Sequence, residues 1–142
     1  MLLPEGKFPN QYGLEFPKPM KELAEKYWPG PLTMVCKLTG ETSLSSSCFT
    51  DGERAFRRSS HPIANALVDG LGTPLLSTSA NISGEPELYS AQAIFDRFII
   101  EELQPDLIFD AGTLPQHPPS TLIVWNDEKG IVVLRQGEIV VT

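Results

Sequence analysis

The chain has 142 residues, of which 41% are hydrophobic and 20% charged, and this size and composition are typical of a single folded domain. Its 18 acidic residues outnumber its 11 lysines and arginines, and the net charge of -7 argues against nucleic-acid binding through a broad basic surface. No apolar run approaches the ~18 residues of a membrane span, and the first residues lack a signal-peptide pattern, so we expect a cytoplasmic protein.

The first half of the chain predicts alternating helices and strands after an irregular start. Apolar residues recur with helical spacing from Met20 to Tyr27, and the prolines that follow Trp28 end this helix. A second helix begins near Pro62 and stops at Gly72. In chain order we expect an irregular arm (1–17), a helix (19–27), a strand (32–38), a Ser/Thr/Gly-rich loop (39–53), a short strand (55–57) and a helix (62–71).

The second half predicts a mixture of strands with one more helix, which Ser90 caps. In chain order we expect a buried strand (74–78), a polar segment (79–84), a helix (90–103), a strand (106–110), a proline-rich loop (111–119), a hairpin (121–125 and 131–135) and an edge strand (138–141). Helices and strands alternate, yet the last strands are consecutive. The pattern therefore favours an α/β (α+β) fold, with helices packed on a mixed open sheet, in one domain over residues 1–142.

The segment PLLSTSANISG at residues 74–84 contains the most informative cluster of polar side chains. Ser77, Ser79 and Asn81 follow a predicted buried strand, and the carboxyl ends of strands are where open α/β sheets bind ligands. Hydroxyl and turn N–H groups suit phosphate or carboxylate oxygens. The alternative is a Ser/Asn turn that satisfies only its own backbone, and the residues alone leave both readings open.

Two arginines and two further hydroxyls could belong to the same anion site. Arg57 and Arg135 each stand at the end of a predicted strand, and an arginine can hold a carboxylate or phosphate through two parallel hydrogen bonds. Thr33 follows the rigid WPGP segment, and Ser120 follows two prolines. The alternatives are solvated charges at the sheet rim and a simple helix stop with a buried tryptophan.

The chain lacks the sequence motifs of several other kinds of enzyme. We identify no GxSxG, HExxH, Walker or GxGxxG motif, and we assign no catalytic nucleophile, base or metal ligand. Cys36 and Cys48 lack metal-site spacing, so we expect ordinary reduced thiols.

Five segments taken in order resemble one known family, the YrdC/TsaC family of threonylcarbamoyl-AMP synthases. They are YWPGPLT (27–33), Arg57 before SSHPIANAL, GTPLLSTSANISG (72–84), DAG…PST (110–121) and VLRQGEI (133–139). The resemblance implies a twisted open sheet around a concave pocket. It also implies a nucleotidyltransferase that joins L-threonine, bicarbonate and ATP into threonylcarbamoyl-adenylate and pyrophosphate.

The resemblance further implies ligands, partners and site residues. ATP is then a substrate used with Mg²⁺, and the product serves N6-threonylcarbamoylation of adenosine 37 in tRNA, with tRNA or the downstream transfer proteins as partners. Arg57 would face the carboxylate of threonine. The residues implied for L-threonine are Arg57, Ser77 and Ser120, and those implied for ATP are Ser79, Asn81, Arg135 and Thr33.

The sequence also departs from the family in ways that leave alternatives open. The family places a first strand and a KxR motif that grips triphosphate before WPGPLT, and no arginine precedes Arg54 here. We therefore expect an N-terminally short domain that is either active or inactive alone. The other readings are a non-catalytic nucleotide- or tRNA-binding module of the same fold, and a carbamoyl-adenylate domain of the hydrogenase-maturation type.

Overall fold

A computed structural model describes all residues 1–142 as a mixed open sheet with helices. In chain order the elements are α1 (Lys18–Tyr27), β1 (Leu32–Lys37), β2 (Glu53–Phe56), α2 (Pro62–Leu71), α3 (Ala91–Phe98), β3 (Thr121–Asn126) and β4 (Gly130–Arg135), with short 3₁₀ helices at Pro9–Tyr12 and Ser46–Cys48. The chain divides into two compact units, one of residues 1–77 with 118–142 and one of residues 78–117. None of the helices is both long enough and apolar enough to span a membrane.

The four strands form one mixed sheet in the order β2-β1-β3-β4, which confirms the predicted fold class. β1 runs parallel to β3, with Leu32 opposite Thr121, whereas β2 and β4 each pair antiparallel with the inner strands. A register shift between Leu122 and Ile123 interrupts the β3–β4 ladder. The C-terminal ends of β2 and β4 therefore lie at the same end of the sheet as the first residues of β1 and β3.

One face of the sheet forms the hydrophobic core of the larger unit. Along β1, Leu32, Met34 and Cys36 are buried and the intervening residues are not, which is the period of two expected for a strand with one covered face. Helix α1 contributes Met20 and Ala24 to this core.

The N-terminal arm is irregular, as predicted, but it is part of the core and does not extend into solvent. Leu3 is fully buried, and Leu14 is nearly so. The arm also bonds to the sheet, since Leu3 N–H donates to the carbonyl of Arg57 and Arg57 N–H donates to the carbonyl of Met1. These bonds fix the backbone at the end of β2.

The opposite face of the sheet, called the open face below, is covered less completely. Thr33 and Val35 of β1 and Leu122 and Val124 of β3 are only half-buried on this side. Because a sheet with one solvated face can present side chains to a ligand, the open face is the natural place to look for a site.

Three predicted strands do not form. Leu75 makes a single bridge to Leu2, while Leu76 is 55% exposed, so residues 74–78 are not the buried strand that we expected. Residues 106–110 and 138–141 also lie outside any strand. Each segment has the composition of a strand, but a strand requires a neighbour for its main-chain groups, and composition does not supply one.

The helix predictions are right about position and less accurate about length and buried face. α1 and α2 match their predicted ranges, and the Ser90 hydroxyl caps α3 by accepting a hydrogen bond from Ala93 N–H at 3.2 Å. α3 ends at Phe98 and not near residue 103, and it buries none of its residues. In α2 the buried residue is Val68, whereas the helical spacing of the apolar residues predicts a buried face made of Ile63, Ala66, Leu67 and Leu71.

The two cysteines should differ sharply in reactivity. Burial raises the pKa of the Cys36 thiol to about 12, with Glu15 adding to the effect, whereas Cys48 is only half-buried. Because the thiolate is the reactive form, we expect a disulfide reagent at pH 8 to modify Cys48 quickly and Cys36 only after unfolding. Cys48→Ser should abolish the fast reaction and Cys36→Ser should retain it. Fast labelling of folded Cys48→Ser would contradict the buried position of Cys36.

Candidate functional site

A row of side chains crosses the open face near the start of β1 and β3. Thr33 pairs with Leu122, and Leu122 pairs with Arg135 across the β3–β4 ladder. On the other side of β1, the last antiparallel pair is Met34 with buried Phe56, and Arg57 follows directly after the end of β2. Continuing the same register by one residue would set Arg57 opposite Thr33, on the face away from Phe56, which gives the row one arginine at each end.

Thr33, Ser120 and Arg135 are in direct contact. The hydroxyl oxygens of Thr33 and Ser120 lie 2.6 Å apart, and either can be the donor. The Arg135 guanidinium donates to the Ser120 carbonyl from Nε at 3.3 Å and from Nη2 at 2.9 Å, and Nη2 is 3.4 Å from the Ser120 hydroxyl. Three side chains that sequence reasoning assigned to an anion site therefore form one hydrogen-bonded group.

Arg57 is half-buried and is held from one side only. Its Nε–H donates to the carbonyl of Gly30 at 2.9 Å, which is the one protein acceptor of its guanidinium. Burial lowers the pKa of Arg57, and the charge of Glu138 opposes that shift. Because an arginine remains protonated in proteins, the two terminal amino groups are a fixed, partly desolvated cation available to a ligand.

The WPGP segment explains how Arg57 is held. Gly30 N–H donates to the Arg58 carbonyl, and a Cβ at Gly30 would overlap the carbonyl oxygen of Tyr27, so only glycine fits this close approach. The indole N–H of Trp28 donates to the Leu32 carbonyl at 2.6 Å, which ties the segment to β1. The Gly30 carbonyl is thereby fixed where Arg57 reaches it.

Arg57 and Arg135 are free of carboxylate partners in a chain that has an excess of acids. Of the five arginines, Arg58 and Arg97 form ion pairs, whereas both arginines of the open-face row, like Arg54, form none. With a net charge of -7, the molecule has ample carboxylates to neutralise them. An external anion is the partner that this arrangement suits best.

The remaining predicted residues are placed differently. Ser77 is exposed just after the bridge at Leu75. Ser79 and Asn81 belong to the smaller unit, where Ser79 is exposed. The Asn81 amide donates to the carbonyls of Ile82 at 3.1 Å and Glu85 at 2.8 Å, so it stabilises its own turn. Asn81 thus has the local role that the sequence left open, and its predicted ligand role stays a prediction, as do those of Ser77 and Ser79.

The donor set does not fit a protein-built metal site. No three His, Cys, Asp or Glu side chains come close enough to hold one ion together. The Mg²⁺ implied by the resemblance would have to be held by groups other than such a cluster.

Sequence reasoning missed two groups that shape the site, the Gly30 carbonyl and Gly137, which lies against residues 119–121. The sequence also offered Thr121, next to Ser120, as a fixed hydroxyl beside the proline-rich loop, but did not predict that it is buried and bonds to residues 137 and 139. Their positions depend on contacts between distant parts of the chain. The only local signals were the two glycines, one in WPGP and one directly after Arg135-Gln136.

Comparison with known proteins gives consistent matches. The profile of the Sua5/YciO/YrdC family, described as "Telomere recombination", matches residues 7–137. A threonylcarbamoyl-AMP synthase of Vibrio cholerae serotype O1 is 34% identical over 110 residues, which are 78% of this chain and 55% of that protein. One of Xanthomonas campestris pv. campestris is 37% identical over 92 residues, which are 65% of this chain and 48% of that protein. The chain thus spans about half the length of these curated relatives.

Solved structures agree with the sequence matches. P. abyssi Sua5 complexed with L-threonine has a TM-score of 0.74 and 31% identity, over 92% of this chain and 38% of that one. E. coli YciO has a TM-score of 0.76 and 30% identity, over 96% of this chain and 64% of that one. With a matching profile over most of its residues, the chain belongs to the Sua5/YciO/YrdC family.

Proposed function

We propose that residues 1–142 act as one YrdC-like domain that forms L-threonylcarbamoyl-adenylate and pyrophosphate from L-threonine, bicarbonate and ATP. The observation that carries the proposal is the row on the open face, in which Arg57 and Arg135 lack ion pairs and flank two hydroxyl groups. Two findings support the carboxylate of L-threonine and the phosphates of ATP as the anions that bind here. Relatives are named threonylcarbamoyl-AMP synthase, and P. abyssi Sua5 has been solved in complex with L-threonine.

In this proposal Arg57 binds the carboxylate of L-threonine. Its Nε is occupied by Gly30, which leaves the two terminal amino groups to form parallel bonds to two carboxylate oxygens. Ser120 and Ser77 supply hydroxyls to the same substrate. A carboxylate would also replace some of the solvation that the half-buried guanidinium has lost, so the site favours an anion there over water.

Arg135 binds the phosphates of ATP in this proposal, together with Thr33 of the same unit. For Ser79 and Asn81, the role in ATP binding is the one that the family resemblance implies. The Arg135 guanidinium is exposed and at present donates to Ser120, which is a neutral acceptor. A phosphate oxygen is a stronger acceptor because it is charged, so it competes well for these donors.

The proposed reaction needs positioning and charge neutralisation, with no covalent enzyme intermediate. Bicarbonate loses hydroxide to give CO₂, and the amine nitrogen of threonine forms a bond to this carbon and releases a proton, so that a carbamate and water result. A carbamate oxygen then forms a bond to the α-phosphorus of ATP, and the bond to the β-phosphate oxygen breaks to release pyrophosphate. Fixed cations on both substrates lower the repulsion between two anions that must meet.

The product of this reaction would serve the threonylcarbamoylation of adenosine 37 in tRNA, in the cytoplasm. tRNA and the proteins that transfer the threonylcarbamoyl group are the implied partners. The net charge of -7 favours a small-molecule product handed to another protein over a broad RNA-binding surface on this chain.

The direct test is pyrophosphate release from ATP, supplied with magnesium, in the presence and absence of L-threonine and bicarbonate. We expect release that depends on both and a threonylcarbamoyl-adenylate peak in mass spectrometry. Binding of ATP and L-threonine without release would instead identify the chain as the non-catalytic binding module. Absence of both binding and release would contradict the proposed function.

Substituting each arginine should weaken the binding of a different ligand. Arg57→Ala should weaken L-threonine binding by about 10- to 100-fold, because a charge-assisted hydrogen-bond pair contributes about 1.5–3 kcal/mol, and should change ATP binding much less. Arg135→Ala should show the reverse preference. Titration calorimetry of each ligand measures both effects.

Lys129→Ala is the matched control, since Lys129 is an exposed cation in the β3–β4 turn. It should bind both ligands as the wild type does. If all three variants bound both ligands equally more weakly, the overall positive charge would account for the loss of affinity, and separate subsites for the two ligands would be contradicted.

A further inference from the structure

The Thr121 hydroxyl is buried next to the site and makes an unusual number of bonds. Thr121 is fully buried, and its side chain lies on the core face, opposite to the row. Its Oγ1 accepts from the N–H of Gly137 at 3.1 Å and of Ile139 at 3.3 Å, and it donates to the carbonyl of Ile139 at 2.5 Å. One hydroxyl thus satisfies three main-chain groups after the end of β4.

These bonds hold residues 135–139, called the tail turn below, against residues 119–121. Glu138 N–H donates to the Pro119 carbonyl at 3.0 Å, and the Arg135 guanidinium returns to Ser120 from the other side. A Cβ at Gly137 would overlap the carbonyl oxygen of Pro119, so the two segments are as close as main chains can be.

The tail turn carries a charged group that contacts the open-face row. Arg135 begins the turn, and its guanidinium donates to the Ser120 carbonyl. A shift of the turn would therefore move the cation that is proposed to bind the phosphates of ATP. The position of the turn is set by contacts on the core face, where no ligand is expected.

We propose that Thr121 is a positioning residue: its buried hydroxyl fixes the tail turn and thereby holds Arg135 against Ser120. This deepens the proposed function and rests on it only for the identity of the anion that Arg135 binds. Thr121 does not touch a substrate and acts through Arg135.

A hydroxyl is required here and a methyl group is not an adequate substitute. Valine has nearly the same shape as threonine, yet it would leave the N–H groups of Gly137 and Ile139 without their partner. The Ile139 carbonyl would keep only the Gln136 side-chain amide, which donates to it at 2.7 Å. Buried polar groups that lose their partner are costly, so the turn would move to find water or another acceptor. Serine keeps the oxygen and should keep the turn.

The test compares Thr121→Val, Thr121→Ser and the control Thr73→Val, whose exposed residue lies outside the tail turn. The first readout needs no ligand: the Nε–Hε resonance of Arg135 in a ¹H–¹⁵N spectrum. In Thr121→Val we expect its chemical shift to move towards that of a solvent-exposed arginine. In Thr121→Ser and Thr73→Val we expect its chemical shift to be unchanged. A merely structural role would leave this signal unchanged in any variant that folds.

The second readout is the dissociation constant for ATP. Thr121→Val should weaken ATP binding by about tenfold, the effect of losing roughly one well-placed hydrogen bond, and Thr121→Ser by less than about threefold. A folded Thr121→Val protein with the wild-type Arg135 resonance and wild-type ATP affinity would overturn the proposal. If the wild type itself binds no ATP, the proposed function fails, and the Arg135 resonance alone decides the role of Thr121.

A measurement on the wild type covers the case in which Thr121→Val does not fold. The Gly137 and Ile139 amides should exchange with solvent as slowly as the amides of β3, because both donate to a buried oxygen. Exchange as fast as that of the exposed β3–β4 turn would show that the hydroxyl does not hold the tail turn and would overturn the proposal.

Discussion

Parallel pairing of β1 with β3 is the constraint on which the site depends. It places Thr33 beside Ser120, although 87 residues separate them in the chain, and the bond from Thr121 N–H to the Pro31 carbonyl continues the ladder to the first residues of both strands. Because β2 and β4 pair antiparallel on the outer sides, their last residues arrive at the same edge. Two arginines from distant segments are thereby brought to one row without either of them contacting the other.

The two faces of this sheet have different physical roles. The core face packs apolar side chains of β1, α1 and the N-terminal arm, and this burial is the main favourable term for the unit. The open face keeps half-exposed side chains and holds one partly desolvated guanidinium with a single neutral acceptor. Such a group costs stability in the free protein, and an anion recovers part of that cost on binding. The core therefore supports a site that is not optimal for folding.

The sequence predicted those features whose causes are local. Helical spacing located α1, a turn at residues 126–130 located the β3–β4 hairpin, and Arg57 and Arg135 were correctly expected at strand ends. The strands expected at 74–78 and 106–110 were wrong because pairing is non-local. The role of the Gly30 carbonyl and the burial of the Thr121 hydroxyl were not predicted for the same reason: each depends on contacts with a distant part of the chain that the sheet brings near.

In our proposal the open-face row is an anion site in which Arg57 binds the threonine carboxylate. A crystal structure of the protein grown with L-threonine is the sharpest test. We expect a threonine carboxylate within hydrogen-bonding distance of both terminal amino groups of Arg57, with Nε still bonded to the Gly30 carbonyl. Threonine bound elsewhere, with Arg57 facing only water, would contradict it.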